Sequence, residues 1–236
     1  TLIMQHPGWT AKLLSVTEAV DLIRSIEKFN RNVDFVVGIA GPGDPLANNQ
    51  TFETLRVIHK EFPQLLMCIS TNGLLLEDKL EEIISVGIRG LTVTVNAADS
   101  QVGQHIYSWV NYQGHIYCQE KAAQLLIIKQ FSGIKKAADA DLVIKVNTVF
   151  IPGINDGQMT RIARTAKEAG AKLMNIMPLI PMGRMRDRSA PTCIELKKKQ
   201  KECEKIIPQF HHCKQCRADV VYLPGVDLIP FSKVSN

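Results

Sequence analysis

The residues from Val36 to Leu46 read Val-Val-Gly-Ile-Ala-Gly-Pro-Gly-Asp-Pro-Leu, and they constrain the fold more than any other stretch. Their first half is a short apolar run of the kind that makes a strand buried on both faces. The second half stops that strand: Gly41 and Gly43 can adopt positive φ, while Pro42 and Pro45 fix φ and remove two backbone donors. A strand ending this way presents backbone polar groups and the Asp44 carboxylate at its carboxyl end, which is where α/β folds bind ligands. Taken alone, the turn is equally an ordinary strand-to-helix connection. What happens at the other strand ends decides its meaning.

Apolar periodicity along the rest of the chain predicts a regular alternation. A helix capped by Thr17 precedes the strand Phe35–Ala40, and a helix over 51–62 is stopped by Pro63. The strand Leu65–Ser70 ends in Ser70-Thr71-Asn72-Gly73, and a helix over 77–86 is ended by Gly87. After the strand Leu91–Val95 comes a long aromatic excursion, 97–118, read as a functional loop or lid. A long helix over 120–138 leads to the strand Leu142–Ile151. Gly153-Ile154-Asn155-Asp156 is expected to cap a helix reaching Glu168, before a strand over 173–180 and a helix over 192–207. Five strands alternating with helices at spacings of about thirty residues predict βα units and a parallel sheet. A doubly wound sheet and an open partial barrel both satisfy that pattern.

The bulk properties exclude several classes. The aromatic share of 6% gives no base-stacking platform, and the net charge of +5 sits largely in Lys197–Lys201, a solvated helix face rather than a nucleic-acid site. No apolar run approaches the roughly 20 residues of a membrane span. The six cysteines, at 68, 118, 193, 203, 213 and 216, do not imply a disulfide framework in a chain of 236 residues without secretory signs. They fit a reducing compartment, and a cytoplasmic location is expected. The opening from Thr1 reads as the continuation of a longer chain.

Two constellations carry chemistry. The strand ends hold Gly43-Asp44, Ser70-Thr71-Asn72, Thr94 and Asn96, Lys145 and Asn147, and Asn175. Short polar groups on successive parallel strands converge on one face and suit a ligand with an amine, a carboxylate and a ribose. Each alone would be a turn former or helix cap. The tail carries His211-His212-Cys213-Lys214-Gln215-Cys216, whose two thiols hold a metal or cluster, form a redox pair, or are incidental. Cys68, inside a buried-looking strand, has the default reading of a small core hydrophobe. Cys193 and Cys203 look incidental, His105 and His115 read as loop residues, and Cys118 stays open.

Several blocks together carry a resemblance. They are Gly-Ile-Ala-Gly-Pro-Gly-Asp-Pro-Leu-Ala-Asn, the Ser-Thr-Asn-Gly end, Ile106-Tyr107-Ser108-Trp109-Val110 and Pro152-Gly153-Ile154-Asn155-Asp156. Residues 173–181 (Leu-Met-Asn-Ile-Met-Pro-Leu-Ile-Pro) and His212-Cys213-x-Gln215-Cys216-Arg217-Ala218-Asp219 complete the set. From about Pro7 to Val221 the chain resembles the NifB family of radical S-adenosylmethionine (SAM) maturases, which build the nitrogenase cofactor precursor.

The resemblance implies an α/β fold of the radical SAM type, an open partial (β/α) barrel with SAM at the strand carboxyl ends. It would occupy residues 1–190, with a helix and Cys-rich tail over 191–236 closing it. Gly41, Gly43 and Asp44 match the segment that receives the methionine amino group. Ser70, Thr94, Asn96 and Asn147 match positions around the methionyl and ribose parts, and Ile176 lies where the adenine packs. Cys68 matches a ligand of one substrate [4Fe–4S] cluster, and Cys213 with Cys216 match ligands of the other. The family's C-x-x-x-C-x-x-C triad for the SAM-cleaving [4Fe–4S] cluster does not occur here. That triad and the first barrel strand are expected upstream of Thr1.

In such a family one SAM gives a methyl group to a cluster sulfide and a second supplies a radical that abstracts hydrogen from it, as two four-iron clusters fuse around a carbide. Iron–sulfur cluster donors, an electron donor and a downstream cofactor carrier would be its partners, with neither nucleic acid nor membrane. Two alternatives stand beside it: a molybdopterin-precursor type of radical SAM maturase, and a non-catalytic iron–sulfur or zinc carrier on the same barrel.

Overall fold

A computed structural model describes residues 14–29, 35–39 and 43–210, together with the backbone of two short strands at 220–221 and 229–230. In chain order the elements are α1 (Val16–Phe29), β1 (Val36–Ile39), α2 (Asn49–Glu61), β2 (Leu66–Thr71), α3 (Leu80–Ser85) and β3 (Gly90–Thr94). There follow α4 (Ser100–Gly103), β4 (Trp109–Tyr112), β5 (His115–Cys118), α5 (Gln119–Asp139) and β6 (Val143–Phe150). The last are α6 (Met159–Glu168), β7 (Leu173–Pro178), α7 (Cys193–Glu204), β8 (Val220–Val221) and β9 (Ile229–Pro230). The five expected strands are all present, and the α/β class is borne out.

Two compact units make up the described chain. The first holds the described residues up to Ser70, with Glu81–Arg89 and the β8–β9 pair. Its strands β1 and β2 run parallel, Val37 beside Met67 and Gly38 beside Cys68. Alternation sends Val37, Met67 and Ile69 into the core, where Phe52, Leu55 and Ile58 of α2 are buried too. The first helix is capped two residues earlier than expected. Ser15, not Thr17, does it: the Glu18 amide donates to Ser15 Oγ while the Ser15 amide donates to the Glu18 carboxylate, a reciprocal capping box. Arg24 then reaches both Glu61 carboxylate oxygens, at 2.9 and 2.6 Å, joining α1 to the end of α2.

The second unit takes residues 71–80 and 90 onward through 210. Here β3, β6 and β7 pair in parallel, with Thr94, Asn147 and Asn175 in one register row. The excursion 97–118, expected as a loop, is instead a helical turn followed by a tight antiparallel hairpin, Trp109 facing Cys118 and Tyr112 facing His115. Gln113 and Gly114 both take positive φ, 52° and 80°, the conformation of a two-residue turn whose twist matches the strands. His115 is therefore a strand residue. One hairpin face packs Val110, Tyr112 and Tyr117 on Ala122, Leu125 and Leu126 of α5, which is why the aromatics cluster there.

Two further expectations change. Asn155 caps no helix with its side chain; α6 starts only at Met159, after a 3-10 turn. Cys203, on the charged helix α7, is fully buried, and its burial pushes the thiol up to about 11. After α7 the chain lies along β7: the Met174 amide donates to Pro208 O and the Phe210 amide to Met174 O.

Candidate functional site

In the first unit the polar turn after β1 behaves as its composition demands. Gly43 has φ +99°. Asp44, half-buried, accepts from the Leu46 amide at 3.0 Å and caps a 3-10 turn over Pro45–Ala47. One carboxylate oxygen thus fixes the turn at the strand's carboxyl end. Gly41 lies outside the described residues, as do Cys213 and Cys216. Cys68 is half-buried on β2, on the face opposite Met67 and Ile69, so it is not the core hydrophobe its strand suggested. Ser70 follows on that same face, also half-buried.

The second unit holds a row of small polar groups. Thr94, Asn147 and Asn175 lie side by side across β3, β6 and β7, while Val93, Val146 and Thr148 point to the opposite, fully buried face. Asn175 Nδ2 donates to Asn147 Oδ1 at a long 3.4 Å. Asn147 and Asn175 are both buried, at 8% and 1% exposure, and the Asn147 amide group donates to no described residue. The row lies level with the carboxyl end of β3 and in mid-strand on β6 and β7, and a hydroxyl beside two carboxamides suits a ligand rich in hydroxyl and carboxylate oxygens.

Not every expected residue faces that row. Ile176 stands in register with Thr148, on the helix-facing side, so a ligand would meet its backbone rather than its side chain. Asn96 serves the frame: its Oδ1 accepts from the Val149 amide at 2.9 Å, and its side chain also meets the Tyr107 hydroxyl.

The frame around the row rests on residues that sequence reasoning passed over. Gln130 of α5, fully buried, donates from Nε2 to Asn72 O and Thr94 O, both at 2.8 Å, and so ties the Ser-Thr-Asn-Gly turn to the end of β3. Its Oε1 has no partner among the described residues. The Asn96 amide donates to the Tyr107 hydroxyl at 3.0 Å, and burial pushes that phenol up to about 12. Asn155, with no exposure, donates to Asn96 O and Val149 O at 2.9 Å each and accepts from the Ile151 amide at 2.8 Å. Asn155 lay inside a recognised motif, but the motif read as a cap. For Gln130 the only signal was a polar residue on the buried stripe of an amphipathic helix.

Among the described residues no three His, Cys, Asp or Glu side chains gather as a metal site. Nor is any helix there long and apolar enough to cross a membrane.

Comparison with known proteins agrees with this geometry. The profile of the radical SAM superfamily matches residues 4–166. The FeMo cofactor biosynthesis protein NifB of Methanocaldococcus infernus is 48% identical over 218 residues, 92% of this chain and 72% of that protein. Its counterpart from Methanocaldococcus jannaschii is 45% identical over the same shares. Among solved structures, a radical SAM methyltransferase from Sphaerobacter thermophilus superposes with TM-score 0.61 at 17% identity, over 85% of this chain and 58% of that one. That likeness shows the partial-barrel fold, and the sequence relatives show the family: the chain belongs to the NifB family of the radical SAM superfamily.

Proposed function

We propose that this chain forms the SAM-binding core of a maturase that joins two [4Fe–4S] clusters, with insertion of a SAM-derived carbide, into the eight-iron precursor of the nitrogenase cofactor. The observation that carries the reading is the polar register row Thr94–Asn147–Asn175, level with the carboxyl end of β3 and joined at Asn175–Asn147 by one long hydrogen bond. It stands in a chain 48% identical to a FeMo cofactor biosynthesis protein.

The residues present fit SAM in chemical type. Asp44 would face its ammonium group through a charge-assisted hydrogen bond, with Gly43 and Gly41 keeping the turn close. Ser70, Thr94, Asn147 and the Asn96 Nδ2 group would meet its carboxylate and ribose oxygens, and the Ile176 backbone its adenine. Bound to a reduced cluster, SAM supplies both a methyl group and a carbon-centred radical. The protein's own part is orientation and exclusion of water. Gln130, Tyr107 and Asn155 hold the strand ends rigid, so that polar groups point at the ligand before it arrives. The substrate clusters would be held by few, soft ligands, Cys68 for one and Cys213 with Cys216 for the other, which suits later release of the product. Cluster donors, an electron donor and a carrier for the product complete the proposed set of partners.

Anaerobic reconstitution of protein carrying the cysteine triad tests this. SAM cleavage, with separate losses of cluster iron in Cys68→Ala and in Cys213→Ala/Cys216→Ala and no precursor from either, is the expected result. Zinc in place of iron, or full iron and normal precursor in Cys68→Ala, would refute it.

A further inference from the structure

Gly38 is a glycine that the backbone does not demand. It lies inside β1, and its φ is not positive. In such a position glycine weakens a strand by about 0.5–1 kcal/mol relative to alanine, and it commonly marks a place where something approaches closely. Its register partner is Cys68. Parallel partners share a face, and alternation makes this the face opposite Val37, Met67 and Ile69, which are buried in the core. Gly38 itself is exposed, and a Cβ built on it would lie 3.3 Å from Cys68 Sγ, tighter than ordinary contact. Position 38 is therefore a notch beside the sulfur, and any side chain there would crowd the approach to it.

Resting on the proposed role of Cys68, we infer that Gly38 is the clearance that admits an iron–sulfur cluster to the Cys68 thiolate. A cubane is far bulkier than a hydrogen or a single ion. A valine at position 38 would fill the notch from the neighbouring strand at the level of Sγ. The same valine would suit the strand better than glycine does. Binding and stability are thus expected to respond in opposite directions, which an ordinary packing role for Gly38 would not produce.

The test compares Gly38→Ala, Gly38→Val and Cys68→Ala in protein carrying the cysteine triad, reconstituted anaerobically with iron and sulfide. Iron per chain, electron paramagnetic resonance of the reduced clusters, thermal midpoint and SAM affinity are measured. In the metal-free forms the rate of Cys68 alkylation by iodoacetamide is followed by mass spectrometry. Gly38→Val should lose the same cluster signal that Cys68→Ala loses, with no further loss in the double variant. Its Cys68 should alkylate more slowly, its thermal midpoint should be unchanged or higher, and its SAM affinity should match the parent. Gly38→Ala should fall between the two, because one methyl group needs only a small shift of the sulfur. Full iron in Gly38→Val beside depleted iron in Cys68→Ala would overturn the clearance alone. Full iron in Cys68→Ala would overturn both the clearance and the assignment of Cys68 as a ligand.

Discussion

Replacing Gln130 by methionine keeps the length and volume of the side chain and removes its amide. The two carbonyls it serves, Asn72 O and Thr94 O, each lose a donor at 2.8 Å from a fully buried side chain, although the acceptor residues are themselves less buried. A typical buried hydrogen bond contributes about 1 kcal/mol net, and an acceptor left unsatisfied costs about 1–3 kcal/mol. Against this, the orphaned Oε1 disappears with the amide, which returns part of the loss. The balance is a destabilisation of about 1–3 kcal/mol, or a fall in thermal midpoint of about 2–12 °C for a chain of this size. Urea unfolding at constant m-value is the assay. The variant should also weaken SAM binding, because Thr94 O marks the end of β3 and the row that begins with Thr94 would lose its rigid floor. A methionine variant as stable as the parent would show that Gln130 only fills space, and the preorganisation argument would fail with it.

Three further outcomes follow from the same geometry. Tyr107 keeps its proton in the fold up to about pH 12, against 10.0 for a free phenol, so the unfolded chain ionises first. Stability present below pH 10 should therefore drain away between about pH 10 and 12, by roughly 2–3 kcal/mol, a component absent in Tyr107→Phe when unfolding is followed against pH. Asn155→Ala removes three buried hydrogen bonds and should cost about 3–5 kcal/mol in denaturant titration. Asn155→Asp keeps the acceptor to Ile151 N but sets its second carboxyl oxygen against two carbonyls without solvent, so it should cost at least as much; a clearly smaller loss would mean that the two donated bonds carry little. Asp44→Asn keeps an oxygen for the Leu46 amide while removing the charge. It should fold normally but bind SAM roughly ten- to a hundredfold more weakly, and unchanged affinity by calorimetry would reduce Asp44 to a turn residue.

The sequence by itself determined the alternation of strands and helices, because each element declares itself through local periodicity. The apolar runs at 36–39, 66–71, 90–94, 143–150 and 173–178 became the parallel strands, and the polar residues at their ends were legible for the same reason. The family was legible too, since its motifs are contiguous. Tertiary structure alone decided what those polar residues do. Asn96 and Asn155 read locally as a ligand contact and a helix cap, yet they bond to backbone groups on neighbouring segments. Cys203 sits among lysines and glutamates in sequence but inside the fold, because a helix buries one face whatever the other carries. The aromatic excursion became a hairpin because two adjacent positive φ values and the surface of α5 favoured pairing over an open loop. The notch at Gly38 exists only because β2 brings Cys68 beside it. Backbone propensity acts over a few residues, whereas hydrogen-bond partners and clearance are set by segments far apart in the chain, which only folding brings together.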